Sequence, residues 1–387
     1  MIKILFFIIF FLINPLHAKI INPDKQCNTS AVQIDFDFPG AGNLTCEIIN
    51  SKYIKFFINP ETDDSINPSP WFAIRKSKHS EDIKLEFDYK NYQHRYDPKI
   101  SNDKKIWKKI NQTNILKDEN GKIIIINFSP SNEKEYISSQ ELITEDWYND
   151  WFNYLGGLEK VKSELIGLSV LKKPITMFFV EENTNNPYIL ILGRQHPPEV
   201  TGAIAIKSFV NELISKNDLS ESFLDNYNII FVPLMNPDGV ENGYWRYNEN
   251  KKDLNRDWGV FSQPETKSVN NKLINFKDDK KIEVFIDFHS TYKNIFYISD
   301  ISESHKLQNF LKNWLNNSKP DLLKIDYDYK IVNSMSPNNG VSKNYIFNKY
   351  NIPSVTYEVS DVEDRDKIKK SSSILSQKLM QSLLELK

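Results

Sequence analysis

The alternation of strand-length and helix-length segments after residue 140 constrains the fold of this chain more than any other feature. Short apolar segments alternate there with longer amphipathic segments over roughly 240 residues. Such an alternation predicts an α/β domain in which helices flank a central mixed or mostly parallel sheet. The predicted strands are residues 175–180, 188–192, 228–234, 282–288 and 354–358, and the predicted helices are residues 199–213, 264–276, 304–315, 342–350 and 366–386.

The preceding residues, from 19 to about 140, have a different pattern. Short segments rich in β-branched and aromatic residues are separated by clusters of Pro, Asn and Asp, which favour turns. This pattern predicts an all-β sandwich. We therefore expect a sandwich domain at 19–140, followed by the α/β domain at 141–387. The predicted strands of the sandwich are residues 32–37, 54–58, 71–74, 83–89 and 122–128.

The first residues have the features of an export signal. Lys3 precedes an apolar run at 4–13, which Pro15 ends. Ala18 is a small residue suited to cleavage. The run is shorter than the about 20 residues that a membrane-spanning helix needs, and no later segment is long and apolar enough to span. We therefore expect a signal peptide at 1–18 and a periplasmic or secreted protein, with an uncleaved anchor as the alternative.

The sequence contains two cysteines, Cys27 and Cys46, and both lie in the part that would be exported. Because the compartments outside the cytoplasm are oxidising, the pair predicts a disulfide. Two buried free thiols are the alternative.

The charge of the chain is nearly balanced, with 49 Lys and Arg against 51 Asp and Glu. Such a surface gives no electrostatic reason to expect a nucleic acid or an anionic membrane as partner. The sequence makes no prediction about the oligomeric state.

Two histidines and a glutamate lie where α/β domains collect their reactive groups, at strand ends. His196 and Glu199 belong to the sequence Gly-Arg-Gln-His-Pro-Pro-Glu at 193–199, where a predicted strand gives way to a helix. His289 directly follows another predicted strand. Imidazole and carboxylate are common zinc ligands, so the three form a candidate zinc site. A helix-capping Glu199 and a hydrogen-bonded His289 without a metal are the alternatives.

Glu358 lies inside an otherwise apolar predicted strand. A buried carboxylate is costly unless it faces a cleft or a cation, which makes Glu358 a candidate general base. A structural glutamate paired with an arginine is the alternative.

Asn255 and Arg256 are adjacent in the sequence Asp-Leu-Asn-Arg at 253–256. The planar guanidinium and the neighbouring amide could together hold a carboxylate. Arg246 is a second cation close by in sequence. Alternatively, the arginines pair with Asp253 and Asp257 as part of the structure.

These motifs together resemble the zinc carboxypeptidases of the pancreatic carboxypeptidase type. The resemblance covers about residues 145–387, and the β segment with Pro-Trp-Phe at 70–72 is similar to the N-terminal domain of the cytosolic-carboxypeptidase-like branch. The motifs that carry it, in chain order, are His-Pro-Pro-Glu at 196–199, Asn-Pro-Asp-Gly at 236–239, Asp-Leu-Asn-Arg at 253–256, the strand leading to His289 and the strand carrying Glu358.

The resemblance implies a metallocarboxypeptidase that uses one zinc ion per chain to remove the last residue of a peptide or protein. The roles that it implies are zinc ligation by His196, Glu199 and His289, general base and acid catalysis by Glu358, oxyanion stabilisation by Arg246, and binding of the substrate's C-terminal carboxylate by Asn255 and Arg256.

The chain departs from the digestive members of that family at two places. Those members carry a tyrosine in a mobile loop before the catalytic glutamate, whereas residues 334–340 contain none and Tyr345 falls in a predicted helix. Their specificity position aligns near Lys343, which implies a preference for an acidic C-terminal residue. A solvated helix position for Lys343 is the alternative.

Other functions fit parts of the same pattern. An N-acyl amino-acid amidohydrolase of the succinylglutamate desuccinylase or aspartoacylase type would use a similar site, but Arg246 after Trp245, the β domain and the long loop at 236–239 favour a peptidase. A murein peptidase is compatible with export. A peptide-binding module without catalysis is disfavoured by the presence of Glu358 and all three candidate ligands.

Overall fold

A computed structural model describes residues 25–63, 67–274, 281–301, 306–334, 337 and 339–387. The predicted signal peptide at 1–18 lies outside the described residues, as do residues 335, 336 and 338 of the loop before Lys343. In the part of the chain that the structure describes, no helix is both long enough and apolar enough to cross a membrane.

The N-terminal region is built from short strands, as the sequence predicts. Its described strands, in chain order, are β1 (Gln26–Asn28), β2 (Gln33–Asp35), β3 (Asn43–Asn50), β4 (Tyr53–Asn59), β5 (Ala73–Lys76), β6 (Ile83–Asp88), β7 (Lys99–Ser101), β8 (Lys108–Lys109), β9 (Ile115–Lys117), β10 (Ile123–Phe128) and β11 (Glu135–Ser138).

These strands form two sheets, in the orders β1-β2-β5-β11-β7-β8 and β3-β4-β6-β10-β9. The pairings between the described strands are antiparallel, except that β4 runs parallel to β6. Side chains alternate along β4, so that Ile54, Phe56 and Ile58 are buried. A disulfide between Cys27 on β1 and Cys46 on β3 links the two sheets. The predicted β-sandwich and the predicted disulfide are both confirmed.

The rest of the chain forms the predicted α/β domain. Its described elements are α1 (Glu145–Gly156), β12 (Val161–Leu168), β13 (Pro174–Val180), β14 (Tyr188–Gly193), α2 (Val200–Leu213), α3 (Asp218–Leu224), β15 (Asn228–Val232), α4 (Pro237–Asn242), α5 (Pro264–Ile274), β16 (Ile282–Thr291), β17 (Ile295–Ser299), α6 (Phe310–Leu323), β18 (Lys330–Asn333), α7 (Ser342–Tyr350), β19 (Ser354–Ser360) and α8 (Arg365–Leu384).

The strands of this domain form one mixed sheet in the order β12-β13-β15-β14-β16-β19-β17-β18. Its central strands β15, β14, β16 and β19 are parallel to their neighbours in that group. Because the sheet is covered on both faces, its strands are apolar on both sides. On β14, Ile189 and Ile191 join the core beneath α2 and α8, whereas Leu190 and Leu192 join the core beneath α5 and α7. The predicted fold class is confirmed.

Three local predictions are wrong. Residues 236–239, predicted as a turn, begin helix α4, because Asn236 Oδ1 accepts a hydrogen bond from Gly239 N at 3.0 Å and Pro237 occupies the first turn. The helix predicted at 304–315 begins only at Phe310. His289 lies within β16 rather than beyond its end, because pairing with β19 continues to Thr291.

The two regions are in direct contact. One continuous apolar core contains buried side chains from both. Across their boundary, Arg95 donates to Asp361 at 2.7 and 2.9 Å, and Lys99 donates to Glu141 at 2.6 Å. Strand β11 ends at Ser138 and α1 begins at Glu145. The segment between them contains residue 140, which we keep as the proposed domain boundary.

Candidate metal centre

Two neighbouring parallel strands bring the distant histidines together. His196 and Glu199 lie between the end of β14 and the start of α2, and His289 lies near the end of β16. In the register of these strands Gly193 pairs with Phe288, the residue before His289. Arg194 adopts φ of 57°, and its Nε donates to the carbonyl of Pro197 at 2.8 Å, which holds the turn that carries His196.

The carboxylate of Glu199 lies between the two imidazoles. Its Oε1 is 2.8 Å from His196 Nδ1, and its Oε2 is 2.8 Å from His289 Nδ1. One ligand atom from each of the three residues lies within 4.8 Å of the others, and all three side chains are buried. The structure therefore brings together the three candidate ligands that the sequence predicts.

A second carboxylate lies behind each imidazole. Asp253 Oδ1 is 2.9 Å from His196 Nε2, and Asp287 Oδ2 is 2.9 Å from His289 Nε2. Such partners fix the ring orientation of a metal-binding histidine and leave its other nitrogen for the metal. Sequence reasoning missed both aspartates as site residues. Asp287 could have been found, because two residues apart on a strand point to the same face.

The charges of the site favour a bound cation. Burial alone would raise the pKa of Glu199, but His196 and His289 hold that pKa well below its usual range. Burial opposes the charged imidazoles, yet Glu199 and Asp253 raise the pKa of His196, and Asp287 and Glu199 raise the pKa of His289 well above its usual value. Two imidazole nitrogens and a carboxylate are a zinc donor set, and a metal would replace the protons on the imidazoles. The residues present therefore fit a single zinc ion.

Glu358 lies on β19 directly opposite His289 in the strand register. Its Oε2 is buried and has no hydrogen-bond partner among the described residues. Burial raises the pKa of Glu358 to about 7, with the charge of His289 opposing this shift and that of Glu199 adding to it. A carboxyl group with this pKa exchanges protons readily near neutral pH. Within the described ranges Glu358 forms no ion pair with an arginine. The alternative, a glutamate paired with an arginine as part of the structure, is therefore wrong.

The carboxylate of Asp253 lies between Arg246 and the candidate ligand His196. Its Nε donates to Asp253 Oδ2 at 2.8 Å, while the other oxygen of Asp253 contacts His196. The pairing with Asp253 that the sequence allowed as a purely structural alternative is therefore present, and it places the guanidinium beside the site. The role of Arg246 toward an oxyanion stays a prediction.

Asn255 is also at the site, and the adjacent Arg256 is exposed. Asn255 Nδ2 is 3.3 Å from His289 Nε2, and its Oδ1 accepts from Ser342 N at 2.9 Å. Arg256 is exposed, donates to the carbonyl of Asn255 at 2.6 Å, and forms no ion pair with any residue that the structure describes. Asp257 instead accepts hydrogen bonds from Ser262, Gln263 and Thr266, so the expected alternative pairing with Arg256 is wrong. The carboxylate-binding role of the pair stays a prediction.

Lys343 lies in the first turn of α7 and is only 2% exposed, so its interpretation as a solvated helix residue is wrong. Its Nζ donates to Ser299 Oγ at 2.5 Å, to the carbonyl of Ser334 at 2.6 Å and to Asn344 Oδ1 at 2.7 Å. Burial lowers the pKa of Lys343 to about 8. Among the described residues this ammonium therefore contacts neutral oxygens and no carboxylate.

Tyr345 does not replace the missing loop tyrosine. It lies in α7 as predicted, and its hydroxyl donates to Asn270 Oδ1 at 3.1 Å. Its ring packs against Trp258 and Phe261, in the core on the α5 and α7 side of the sheet.

A sequence model of the family described as zinc carboxypeptidase matches residues 158–377 of this chain. The match covers most of the α/β domain and includes His196, Glu199, His289 and Glu358.

Two curated relatives share the region around the site. The chain is similar to cytosolic carboxypeptidase 6 of Mus musculus, with 27% identity over 177 residues, which are 41% of this chain and 33% of that protein. It is also similar to cytosolic carboxypeptidase 4 of Homo sapiens, with 31% identity over 123 residues, which are 30% of this chain and 11% of that protein. The chain thus spans a third or less of the length of these relatives.

Two solved structures share the fold over nearly the whole chain. A metallo-carboxypeptidase from Burkholderia cenocepacia has a TM-score of 0.72 at 17% identity and covers 92% of this chain and 98% of its own. A metallo-carboxypeptidase from Pseudomonas aeruginosa, in complex with (2-guanidinoethylmercapto)succinic acid, has a TM-score of 0.73 at 18% identity and covers 92% of this chain and 100% of its own. The similarity thus extends over the β-sandwich as well as the α/β domain.

Proposed function

The chain belongs to the zinc carboxypeptidase family, and from this premise we propose that it hydrolyses the C-terminal peptide bond of peptides or proteins. The observation that carries the proposal is the position of Glu199 between His196 Nδ1 and His289 Nδ1, with Glu358 opposite His289. These residues form a donor set for one ion and a proton acceptor beside it.

His196, Glu199 and His289 would hold the zinc, with Asp253 and Asp287 orienting the two imidazoles. When bound, zinc supplies Lewis-acid chemistry, which activates a water molecule and polarises a peptide carbonyl.

Glu358 performs the proton transfers in this proposal. Its unpartnered Oε2 accepts the proton of the attacking water and then donates it to the leaving amine. Burial raises the pKa of Glu358, which makes its carboxylate a better proton acceptor than an exposed one.

Arg246, Asn255 and Arg256 position the substrate. The guanidinium of Arg246 donates hydrogen bonds to the oxygen on which negative charge develops. Asn255 and the exposed Arg256 bind the C-terminal carboxylate, so that only the last residue is removed.

Lys343 supports a preference for an acidic C-terminal residue. A buried ammonium surrounded by neutral oxygens is poorly compensated, so a substrate carboxylate that reached it would gain a charge-assisted hydrogen bond.

We also propose that the protein acts outside the cytoplasm. The features of residues 1–18 and the disulfide between Cys27 and Cys46 support export, although the two curated relatives are named cytosolic. Cell fractionation, with determination of the mature N-terminus, tests this; an intact Met1 on a cytoplasmic protein would contradict it.

The activity is tested with the zinc-loaded chain and three substrates. We expect release of free glutamate from a short peptide ending in Glu, with no cleavage of an N-acyl amino acid or of muropeptides. Release of an acyl group from the N-acyl amino acid, with the peptide left intact, would replace the peptidase by an amidohydrolase.

A further inference from the structure

Glu61, in the segment after β4 of the sandwich, binds three consecutive backbone amides of the α/β domain. Its Oε2 accepts from Trp245 N at 2.9 Å, and its Oε1 accepts from Arg246 N at 2.9 Å and from Tyr247 N at 2.8 Å. Consecutive backbone N–H groups that converge on one anion form a concave binding site, and hydrogen bonds to a charged group are stronger than neutral ones.

The segment that Glu61 binds has no helix or strand of its own. Residues 243–253, between α4 and the short 3-10 helix at 254–256, are irregular. The amides of residues 245–247 are therefore not held by a helix or a sheet ladder, and Glu61 is the acceptor that orients them.

This segment leads directly to the candidate metal centre. Arg246 donates from Nε to Asp253, and Asp253 contacts His196. A carboxylate of the sandwich thus holds the backbone of the residue whose side chain is proposed to stabilise the oxyanion.

Packing holds the same segment in place independently of Glu61. The Trp245 ring is buried, its Nε1 donates to the carbonyl of Trp71 at 3.3 Å, and its centroid is 5.0 Å from that of Tyr92. We therefore expect the segment to remain docked without Glu61, while the backbone at Arg246 loses its orientation.

We propose that Glu61 is a positioning residue for Arg246, so that the β-sandwich contributes to catalysis. The inference rests on the proposed carboxypeptidase activity. The carboxylate itself does not touch the substrate, and its effect passes through the backbone and side chain of Arg246.

The first test compares Glu61→Gln and Glu61→Ala with the wild type, using zinc-loaded full-length protein and a short peptide ending in Glu. Glu61→Gln keeps the size of the side chain and one accepting oxygen, so this variant can still be tested if Glu61→Ala folds poorly. We expect kcat to fall about 10- to 100-fold with little change in KM, because an oxyanion contact acts in the transition state. Zinc content and the melting temperature should stay close to those of the wild type.

Glu141→Gln is the matched control. Glu141 also accepts a hydrogen bond across the boundary, from Lys99, and others from Arg365, but none from residues 245–247. Its variant should retain the wild-type kcat. An equal loss in both variants would mean that any boundary contact has this effect, and would overturn the inference.

The second test combines a Glu61 substitution with Arg246→Ala. If Glu61 acts through Arg246, the second substitution should change kcat by less than about 2-fold, because contacts that act as one unit are non-additive. If the Glu61 substitution lowered kcat in this background as much as it does in the wild type, Glu61 would have a role independent of Arg246. A wild type that fails to cleave the peptide would overturn the proposed function, whereas an active wild type with equally active Glu61 variants would overturn this inference alone.

Discussion

Glu358 and His289 occupy directly opposite positions on the adjacent parallel strands β19 and β16. Neighbouring strands are about 4.8 Å apart, and residues paired in register point to the same face. The sheet itself therefore holds the proposed proton acceptor beside a candidate zinc ligand. Six further residue pairs of the same ladder, on either side, fix this register, from Phe285 with Ser354 to Thr291 with Ser360.

Replacing Glu358 with Gln should greatly reduce turnover without releasing zinc. The amide keeps the size of the side chain but cannot accept a proton from water, and the ligands His196, Glu199 and His289 are unchanged. We expect kcat to fall by a factor of about 10²–10⁴, measured by steady-state hydrolysis with zinc content determined on the same sample. Glu385→Gln, at the exposed end of the chain, is the control. Full activity in Glu358→Gln would refute the proposed mechanism.

Replacing Asp253 with Asn should weaken zinc binding. The amide no longer provides the negative charge that orients His196 and pairs with Arg246. Loss of such an outer partner lowers metal affinity or activity about 10- to 100-fold, which competition with a chromogenic chelator measures. The exposed Asp328→Asn should bind zinc like the wild type. Unchanged affinity and kcat in Asp253→Asn would show that Asp253 does not support the metal site.

Replacing Lys343 with Met should reduce the preference for an acidic C-terminal residue. A hydrogen bond between charged groups contributes more than a neutral one, so the ratio of kcat/KM for peptides ending in Glu and in Leu should fall about 10- to 100-fold. Lys349→Met, at the exposed end of the same helix, is the control. If the wild type shows no preference for Glu, the assignment of Lys343 to the specificity pocket is wrong.

The same preference should depend on pH. Burial lowers the pKa of Lys343 to about 8, so its ammonium is charged below that pH and neutral above it. Because kcat/KM reports the ionisation of the free enzyme, the ratio for Glu over Leu should fall as the pH rises through about 8, and should be higher well below that pH than above it. Lys343→Met should show no such decline, and a wild-type ratio that rises with pH would contradict the assignment.

Replacing Gly340 with Ala should disturb the region that binds the substrate carboxylate. Gly340 has φ of 83°, and an added Cβ would lie 2.2 Å from the carbonyl oxygen of Arg256. Strain of this kind destabilises the folded state by about 1–3 kcal/mol. If Arg256 moves to relieve the strain, substrate binding should weaken and KM should rise. Gly156→Ala is the control, because no atom lies within 4 Å of its added Cβ. Denaturant unfolding and steady-state kinetics measure the two effects, and wild-type values in both would exclude the predicted contact.

The sequence alone determined the fold class and the placement of the candidate ligands along the chain. Strand-length apolar segments followed by amphipathic helices predict a sheet that helices cover on both faces. His196, Glu199 and His289 could be placed near strand ends, because local pattern indicates where a buried strand meets polar residues. The turn predicted at 236–239 was wrong because a capping Asn followed by Pro also begins a helix.

Tertiary structure decided which of these residues meet and what supports them. The register that sets Glu358 opposite His289, the pairing of Asp253 with both His196 and Arg246, and the contact of Glu61 with residues 245–247 depend on chain segments far apart in sequence. An apolar strand that is buried on both faces has no alternating pattern that specifies its register. Hydrogen bonds between distant segments form only once the cores are packed, so local sequence carries no signal for them.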